Sequence, residues 1–321
     1  MVIVRLAFLA ALFWLTAPCL AQDYPAKPVR LVVPFPPGGY ADFGARIFAQ
    51  HLGERLGQPI VVENKPGAAA VIGTDSVAKA RPDGYTLLWS GTSAFTTNPV
   101  LLPNLPYDPV KSFAHISIVS NAALVLLAHP SLPATNLGEL VAFVKAKPEP
   151  LAYGSFGNGS SSHFAAEMLW STLGVRMLHV PYKGAAPLMV DLLAGQILLA
   201  VDTVPNATPH LRAGKLKALA VSTEKRSRFL PDVPTVAELG NPGYRVDTWS
   251  GLVAPAGTPG PVLARLGEET KRISASKPFQ DAYAAQNVDA VFTTPEEFVA
   301  LIRRDIERFA AIAKTANIRS D

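Results

Sequence analysis

The feature that most constrains this chain is an alternation. Short apolar runs of strand length are each followed by a turn and then by a stretch with helical spacing. Residues 29–35 read as a buried strand, 36–40 as a turn, and 41–56 carry Phe43, Ile47, Phe48, Leu52 and Leu56 on one helical face. A strand over 59–63, a helix over 69–80 and a strand over 86–89 continue the series. A second series begins near Asn121, with a strand over 122–128 and a helix over 136–145 opened by an Asn136…Glu139 capping box. A strand at 151–153, a Gly/Ser-rich run over 154–162 and a helix over 163–173 follow, then a strand at 177–180, a helix at 186–193 and a strand at 197–201. Thr235…Glu238 and Thr294…Glu297 read as further helix starts, the latter opening a helix over 295–313 with Phe298, Leu301, Ile302, Ile306 and Phe309 on one face. Such alternation predicts parallel βαβ units with right-handed crossovers, and two series predict two α/β lobes.

Charge and composition narrow the function. The 321 residues carry 29 basic and 25 acidic side chains, and 49% apolar content fits a globular chain rather than a disordered one. No Lys/Arg run exceeds two residues, so the basic stripe that nucleic-acid binding needs is missing. At the N-terminus, Arg5 precedes ten apolar residues (6–15), and Thr16-Ala17-Pro18-Cys19-Leu20-Ala21 leads into polar Gln22-Asp23. That pattern predicts a secretory signal peptide over 1–21, cut after Ala21, and a periplasmic product. Ten residues are about half of a membrane span. Cys19, the single cysteine, falls inside the leader, so the expected mature chain has no thiol nucleophile, disulfide or thiolate metal site.

Open α/β sheets bind ligands beyond the carboxyl ends of their strands. Three loops there are glycine- or hydroxyl-rich: Phe35 to Asp42 with Gly38, Gly39 and Tyr40; Ser90-Gly91-Thr92-Ser93; and the run holding Asn158, Gly159 and Ser160. Glycines admit close backbone approach, and helix starts favour anions. Each loop taken singly is explained as well by tight turns and N-caps, Asp42 and the serines being good caps; three together favour a ligand cleft. Asp202, at the end of an apolar strand, reads equally as a turn residue and as a cleft carboxylate that prefers an amine or an ordered water. Catalytic patterns are weak. Only two glycines of the dinucleotide fingerprint occur, no Gly-x-Ser-x-Gly elbow or P-loop is present, and the six histidines show no metal-ligand spacing. No cofactor, metal or catalytic residue is expected.

Seven fragments carry a family resemblance from Tyr24 to near the C-terminus. They are Pro34-Phe35-Pro36-Pro37-Gly38-Gly39-x-x-Asp42, Glu63-Asn64-Lys65-Pro66-Gly67-Ala68, Pro82-Asp83-Gly84-Tyr85-Thr86-Leu87, Leu105-Pro106-Tyr107-Asp108-Pro109, Tyr153-Gly154-Ser155 through His163, Val180-Pro181-Tyr182-Lys183-Gly184, and Leu230-Pro231-Asp232-Val233-Pro234-Thr235. In order and spacing they resemble the Bug family, the extracytoplasmic receptors of tripartite tricarboxylate transporters. The resemblance implies a hinged two-lobed fold of the periplasmic-binding-protein type (type II), closing over a small carboxylate held by backbone amides. It puts Phe35, Gly38, Gly39 and Asp42 in one jaw and Asn158, Gly159 and Ser160 in the other, with Gly184, Ala185 and Asp202 nearby and Ser90, Thr92 and Ser93 in a hydroxyl-rich loop. Tyr40 stands where a smaller residue is common, and Val201 where an aromatic is. Lys183 reads as a solvated surface lysine rather than a ligand contact.

On this reading, crossings near 121–128 and 248–254 divide the chain into a first lobe (22–123 and 247–321) and an inserted second lobe (124–246). The expected partners are a small organic anion and integral-membrane permease subunits, with no nucleic acid, and the expected state is a monomer. Valine at Gly38 should block close approach and abolish binding. The rivals are an exported serine hydrolase using the 154–162 loop with His163 or His179, and a sensor that docks on a membrane signalling protein.

Overall fold

β1 (Val29–Val33) shows how the first lobe forms. All its residues except Arg30 are buried, because both faces are covered. Val29, Leu31 and Val33 pack with Phe48 and Leu52 of α1 (Tyr40–Leu56), while Val32 faces Val77, Leu88 and Phe95 on the other side. β2 (Ile60–Asn64) and β3 (Thr86–Gly91) flank β1 in parallel, with α2 (Val71–Ala78) between them in sequence. The computed structural model describes residues 24–316 and 318; the expected leader lies outside the described residues.

One sheet path runs through both lobes in the order β2-β1-β3-β9-β4-β7-β5-β6. Its centre is β4 (Phe113–Ala128), which pairs antiparallel with β9 (Asp247–Pro255) from Phe113 to Ala123. From Leu124 to Ala128 the same strand pairs instead with β7 (Leu199–Thr203), and residues 125–128 also pair with β8 (Lys217–Val221). Thus β4 and β9 lie between the two parts of the sheet, and β4 begins nine residues earlier than the apolar run 122–128. In the second lobe, β5 (Leu151–Ser155), β6 (Met177–Pro181) and β7 lie parallel. α4 (Leu137–Lys145) follows α3 (Asn98–Leu101) in the chain. α5 (Ser161–Leu173), α6 (Ala185–Leu193) and α7 (Val204–Arg212) follow β5, β6 and β7. α8 (Gly260–Ala275) and α9 (Lys277–Ala285) return to the first lobe, where Leu266 and Phe279 join the core of α1. β10 (Asp289–Ala290) pairs β4.

α10 (Pro295–Ala316) behaves differently from expectation. Its box forms as read, Thr294 N–H donating to Glu297 Oε2 (2.8 Å) and Glu297 N–H to Thr294 Oγ1 (3.2 Å). Phe298 and Ile302 pack with Phe95 and Trp249 of the first lobe, but Phe309 and Ala313 pack with Phe164 and Tyr244 of the second. At 1.5 Å per residue its 22 residues reach across both lobes. The Thr235…Glu238 box also forms, with both bonds at 3.0 Å, yet only a turn follows, ending at Gly240 in the left-handed region (φ 92°). No helix among the described residues is long and apolar enough to cross a membrane.

Candidate functional site

Five helices start at one place. α1, α2, α5, α6 and α7 follow the carboxyl ends of β1, β2, β5, β6 and β7, and residues at each of those helix starts line one cavity of about 710 Å³ between the lobes. Each helix start presents backbone N–H groups without intrahelical partners and the positive end of a dipole. How those groups are satisfied separates the five. Ser160 accepts from His163 N–H and so caps α5, and Thr203 accepts from Asn206 N–H and caps α7. The N-caps of α1, α2 and α6 are Gly39, Ala70 and Gly184, none with a side-chain cap bond. Free donors for an anion therefore lie at Gly39–Ala41 and at Gly184–Ala186, whereas at α2 Val71 N–H already donates to Ala68 O (3.0 Å) and Ile72 N–H to Gly67 O (3.5 Å). Gly184 has φ 115°, a conformation that excludes most side chains. A Cβ there would also sit 3.8 Å from Pro36 Cγ of the opposite jaw.

The lining is otherwise mostly apolar, with Phe35, Tyr40, Ala68, Phe156, Pro187 and Trp249. Hydroxyls and amides come from Thr92, Ser93, Asn158, Ser160, Ser161, Thr203, Asn206, Thr248 and Ser250. Among the described residues Lys183, exposed, is the charged side chain on the wall, and none of them lines it with a carboxylate. The field in the cavity is accordingly positive, from helix starts more than from side chains. Among the described residues no group of three His, Cys, Asp or Glu side chains is placed to hold a metal.

Of the sequence-derived candidates, Phe35, Gly39, Tyr40, Thr92, Ser93, Asn158, Ser160, Gly184 and Ala185 line the cavity. Gly38, Asp42, Ser90, Gly159 and Asp202 do not. Gly38 adopts φ 88°, and a Cβ there would meet nothing within 4 Å, so its requirement is conformational and not close approach. Its N–H donates to Asp42 Oδ2 (3.0 Å). Asp42 also accepts from Arg46 Nε (3.1 Å) and Asn64 Nδ2 (2.8 Å), which braces the loop from behind. Burial disfavours its charge, but these bonds and the Arg46 guanidinium outweigh that and hold its pKa below the usual carboxylate range. Ser90 is fully buried in β3. Gly159 accepts from Thr97 Oγ1 of the π turn Ser93–Thr97, a link across the lobes.

Asp202 is completely buried behind the wall. Its Oδ1 accepts from Thr203 N–H (2.6 Å) and Asn206 Nδ2 (3.0 Å), while Oδ2 has no partner among the described residues. Burial pushes its pKa up to about 7 against those hydrogen bonds.

The Gly/Ser run of the second lobe is densely bonded. Ser160 Oγ donates to Gly157 O (2.6 Å), and Gly159 N–H donates to His163 Nδ1 (3.2 Å). His163 stacks on His179 at 3.8 Å between ring centroids and 8° between planes. Burial, aided by His179, lowers the His163 pKa to about 3, so the His163 ring supports the loop as a neutral aromatic. Ser155 Oγ lies 2.7 Å from His179 Nε2, the contact a hydrolase would want, but Ser155 is fully buried and off the cavity. Ser160, which does reach the cavity, is engaged by Gly157 O and the α5 cap.

Sequence reasoning missed Ala68–Ala70, Thr203, Asn206 and the β9 residues Thr248, Trp249 and Ser250. The three alanines sit at φ 46°, 52° and 76°, a conformation no alanine announces. The β9 residues arrive through a non-local crossing. Asn206 had a legible signal, standing four residues after Asp202 at a helix start.

The sequence profile of the tripartite tricarboxylate transporter family receptor matches residues 44–318. Protein BugT of Bordetella pertussis is 38% identical over 301 residues, covering 94% of this chain and 92% of its own. An R. palustris protein solved with adipate is 33% identical with a TM-score of 0.89, over 92% of this chain and 99% of that one. MatC from Rhodopseudomonas palustris, solved with bound malate, is 32% identical with a TM-score of 0.83, over 90% and 99% of the two chains.

Proposed function

We propose a function from one premise: this chain belongs to the tripartite tricarboxylate transporter receptor family. As a member it is an extracytoplasmic solute-binding receptor, and its solute is a small carboxylate taken up between the lobes. One observation carries this reading for the present chain. The starts of α1 and α6, which lack side-chain caps, face a cavity of about 710 Å³ that no carboxylate side chain among the described residues lines. Such groups attract an anion at short range without a buried counter-charge. Adipate and malate in the relatives are short dicarboxylates of a size that suits this volume.

Binding draws the jaws together about β4 and β9, shifting an open–closed equilibrium by the difference in affinity for the two states. The closed form presents its solute, chemically unchanged, to integral-membrane permease subunits. The receptor is exported by cleavage after Ala21 and works as a monomer. Gly39, Tyr40, Ser93, Asn158, Ser160, Gly184 and Ala185 are the contacts, Asp42 and Gly159 brace them, and Lys183 attracts from the rim.

A thermal-shift screen of the mature chain against short carboxylates, amino acids and phosphates tests this. A solute at about 100 times its Kd adds about 2.7 kcal/mol, a shift of several degrees for a chain of this size. A saturable shift with the carboxylate recovered intact supports the receptor. Consumption of the solute, or a response to phosphates alone, contradicts it.

A further inference from the structure

We propose that Thr97 is a positioning residue of the binding site. Its hydroxyl, held by the first jaw, fixes the backbone between Asn158 and Ser160 in the second, and so sets solute affinity from across the cleft. This inference rests on the carboxylate-receptor reading above.

Residues 92–101 pass from one core to the other. Ala94 and Phe95 are buried among first-lobe side chains, whereas Leu101 is buried with Tyr153 and Phe164 of the second lobe. The first jaw holds this segment at two points. Trp249 N–H donates to Thr92 Oγ1 (3.1 Å), and Asn98 Nδ2 donates to Ala69 O (2.8 Å). Thr97 is fully buried between them. Its Oγ1 lies 2.5 Å from Gly159 O of the second lobe and 3.1 Å from Ser93 O of its own turn. A hydroxyl has one proton to give. The shorter contact assigns it to Gly159.

Gly159 does not line the cavity, but its neighbours Asn158 and Ser160 do. The Gly159–Ser160 peptide is fixed on its N–H side by the second lobe itself, since Ser160 N–H donates to Gly157 O (3.2 Å). Its carbonyl lies outside the α5 ladder, which begins with Ser160 O accepting from Phe164 N–H (3.1 Å). Thr97 gives that carbonyl a donor from the opposite jaw. The backbone around it is soft, with glycines at 157 (φ 148°) and 159 (φ 69°). The same glycine is also a seat. A Cβ on Gly159 would lie 2.9 Å from Leu101 Cδ1, so a side chain there would lift the segment away. Without the Thr97 hydroxyl, Gly159 O is buried and unpaired, a cost greater than the gain of one ordinary hydrogen bond. The peptide then turns to regain a partner and moves Asn158 and Ser160 off the solute. Thr97 itself touches no solute, as it lies behind the cavity wall.

Calorimetric titration of the mature wild type, Thr97→Val and Thr97→Ser with succinate, malate, adipate and citrate tests the proposal. Valine keeps the branched shape and removes the hydroxyl; serine keeps the hydroxyl and removes the methyl. Thr97→Val should bind about tenfold more weakly, with the loss in a faster off-rate, and Thr97→Ser should stay within about threefold of wild type. A merely structural threonine would lower the melting temperature of the free variants and leave the affinity of the folded protein unchanged. If Thr97→Val does not fold, Thr97→Ala is read in the same way. An affinity within about twofold of wild type once the hydroxyl is gone, or a serine variant no better than the valine one, overturns this inference while leaving the receptor standing. Failure of the wild type to bind any of these carboxylates overturns both.

Discussion

The two walls of the cavity are built by opposite means. The first-lobe wall is backbone in an uncommon conformation: Gly38 at φ 88°, three successive alanines in the left-handed region, and two helices whose N-caps lack side-chain bonds. The second-lobe wall over 155–163 and 202–206 is side chain bonded to backbone, with serines and a threonine closing their own helix starts and a histidine stack beneath. Left-handed alanines cost roughly 1–2 kcal/mol each, and such strain collects at ligand clamps. The first-lobe wall leaves donors open at the start of α1, and so it can attract an anion. The other is satisfied in advance. α6 is the exception, an uncapped start carried by the second lobe, so helix starts free of side-chain caps face the cavity from both sides.

Four changes break or sharpen this contrast. The largest effect is expected where β3 meets β9 at the base of the first wall. A Cβ at Gly91 would lie 1.7 Å from Trp249 O, so Gly91→Ala should cost more than about 4 kcal/mol or prevent folding, read by denaturant unfolding. Next is the pH dependence of Asp202, whose folded pKa is raised from 3.8 to about 7. Between those values the folded state binds the extra proton, so its contribution to stability falls as pH rises from about 4 to about 7 and is flat beyond. His115 and His163, lowered to about 4 and about 3, act in the opposite direction below pH 6.5. The difference between wild type and Asp202→Asn isolates the first slope, which should amount to roughly a few kcal/mol. An identical slope in wild type and Asp202→Asn would assign it to another group.

The two smaller effects have opposite signs, one for each wall. Ser160→Ala removes a cap and should lower stability by about 1 kcal/mol in thermal unfolding. Ala70→Gly frees a residue from a conformation disfavoured for alanine and should raise it by up to ~1 kcal/mol. A loss at both positions would mean that the first wall is not strained.

Much of this was legible in the sequence because it is local. β1, β5 and the glycine loops announce themselves by apolar runs bounded by turn residues, and seven of the nine candidates that line the cavity lie in those loops, while Gly184 and Ala185 came through the family resemblance. The first half of β4 was not legible, since His115, Ser117 and Ser120 interrupt its apolar pattern and its register slips twice against β9. α7 was concealed by Pro205 and Pro209, the first harmless at a helix start and the second retained inside the helix. α10 looked like one amphipathic helix of one lobe, yet its two ends serve different cores, a fact that follows from where the lobes stand. Asp202 was placed correctly at a strand end, but which way it faces depends on α7 packing over it.

The central claim is that backbone donors at uncapped helix starts hold the carboxylate. It is tested most directly by Ala185→Pro. Position 185 is the first residue of α6, where proline suits the helix and its missing N–H disturbs no intrahelical bond. Extended Gly184 (ψ 176°) also tolerates a following proline. Calorimetry with the carboxylate that gives the largest thermal shift should show affinity reduced about tenfold or more, with the melting temperature of the free protein unchanged. A folded variant that binds as tightly as wild type would contradict the account.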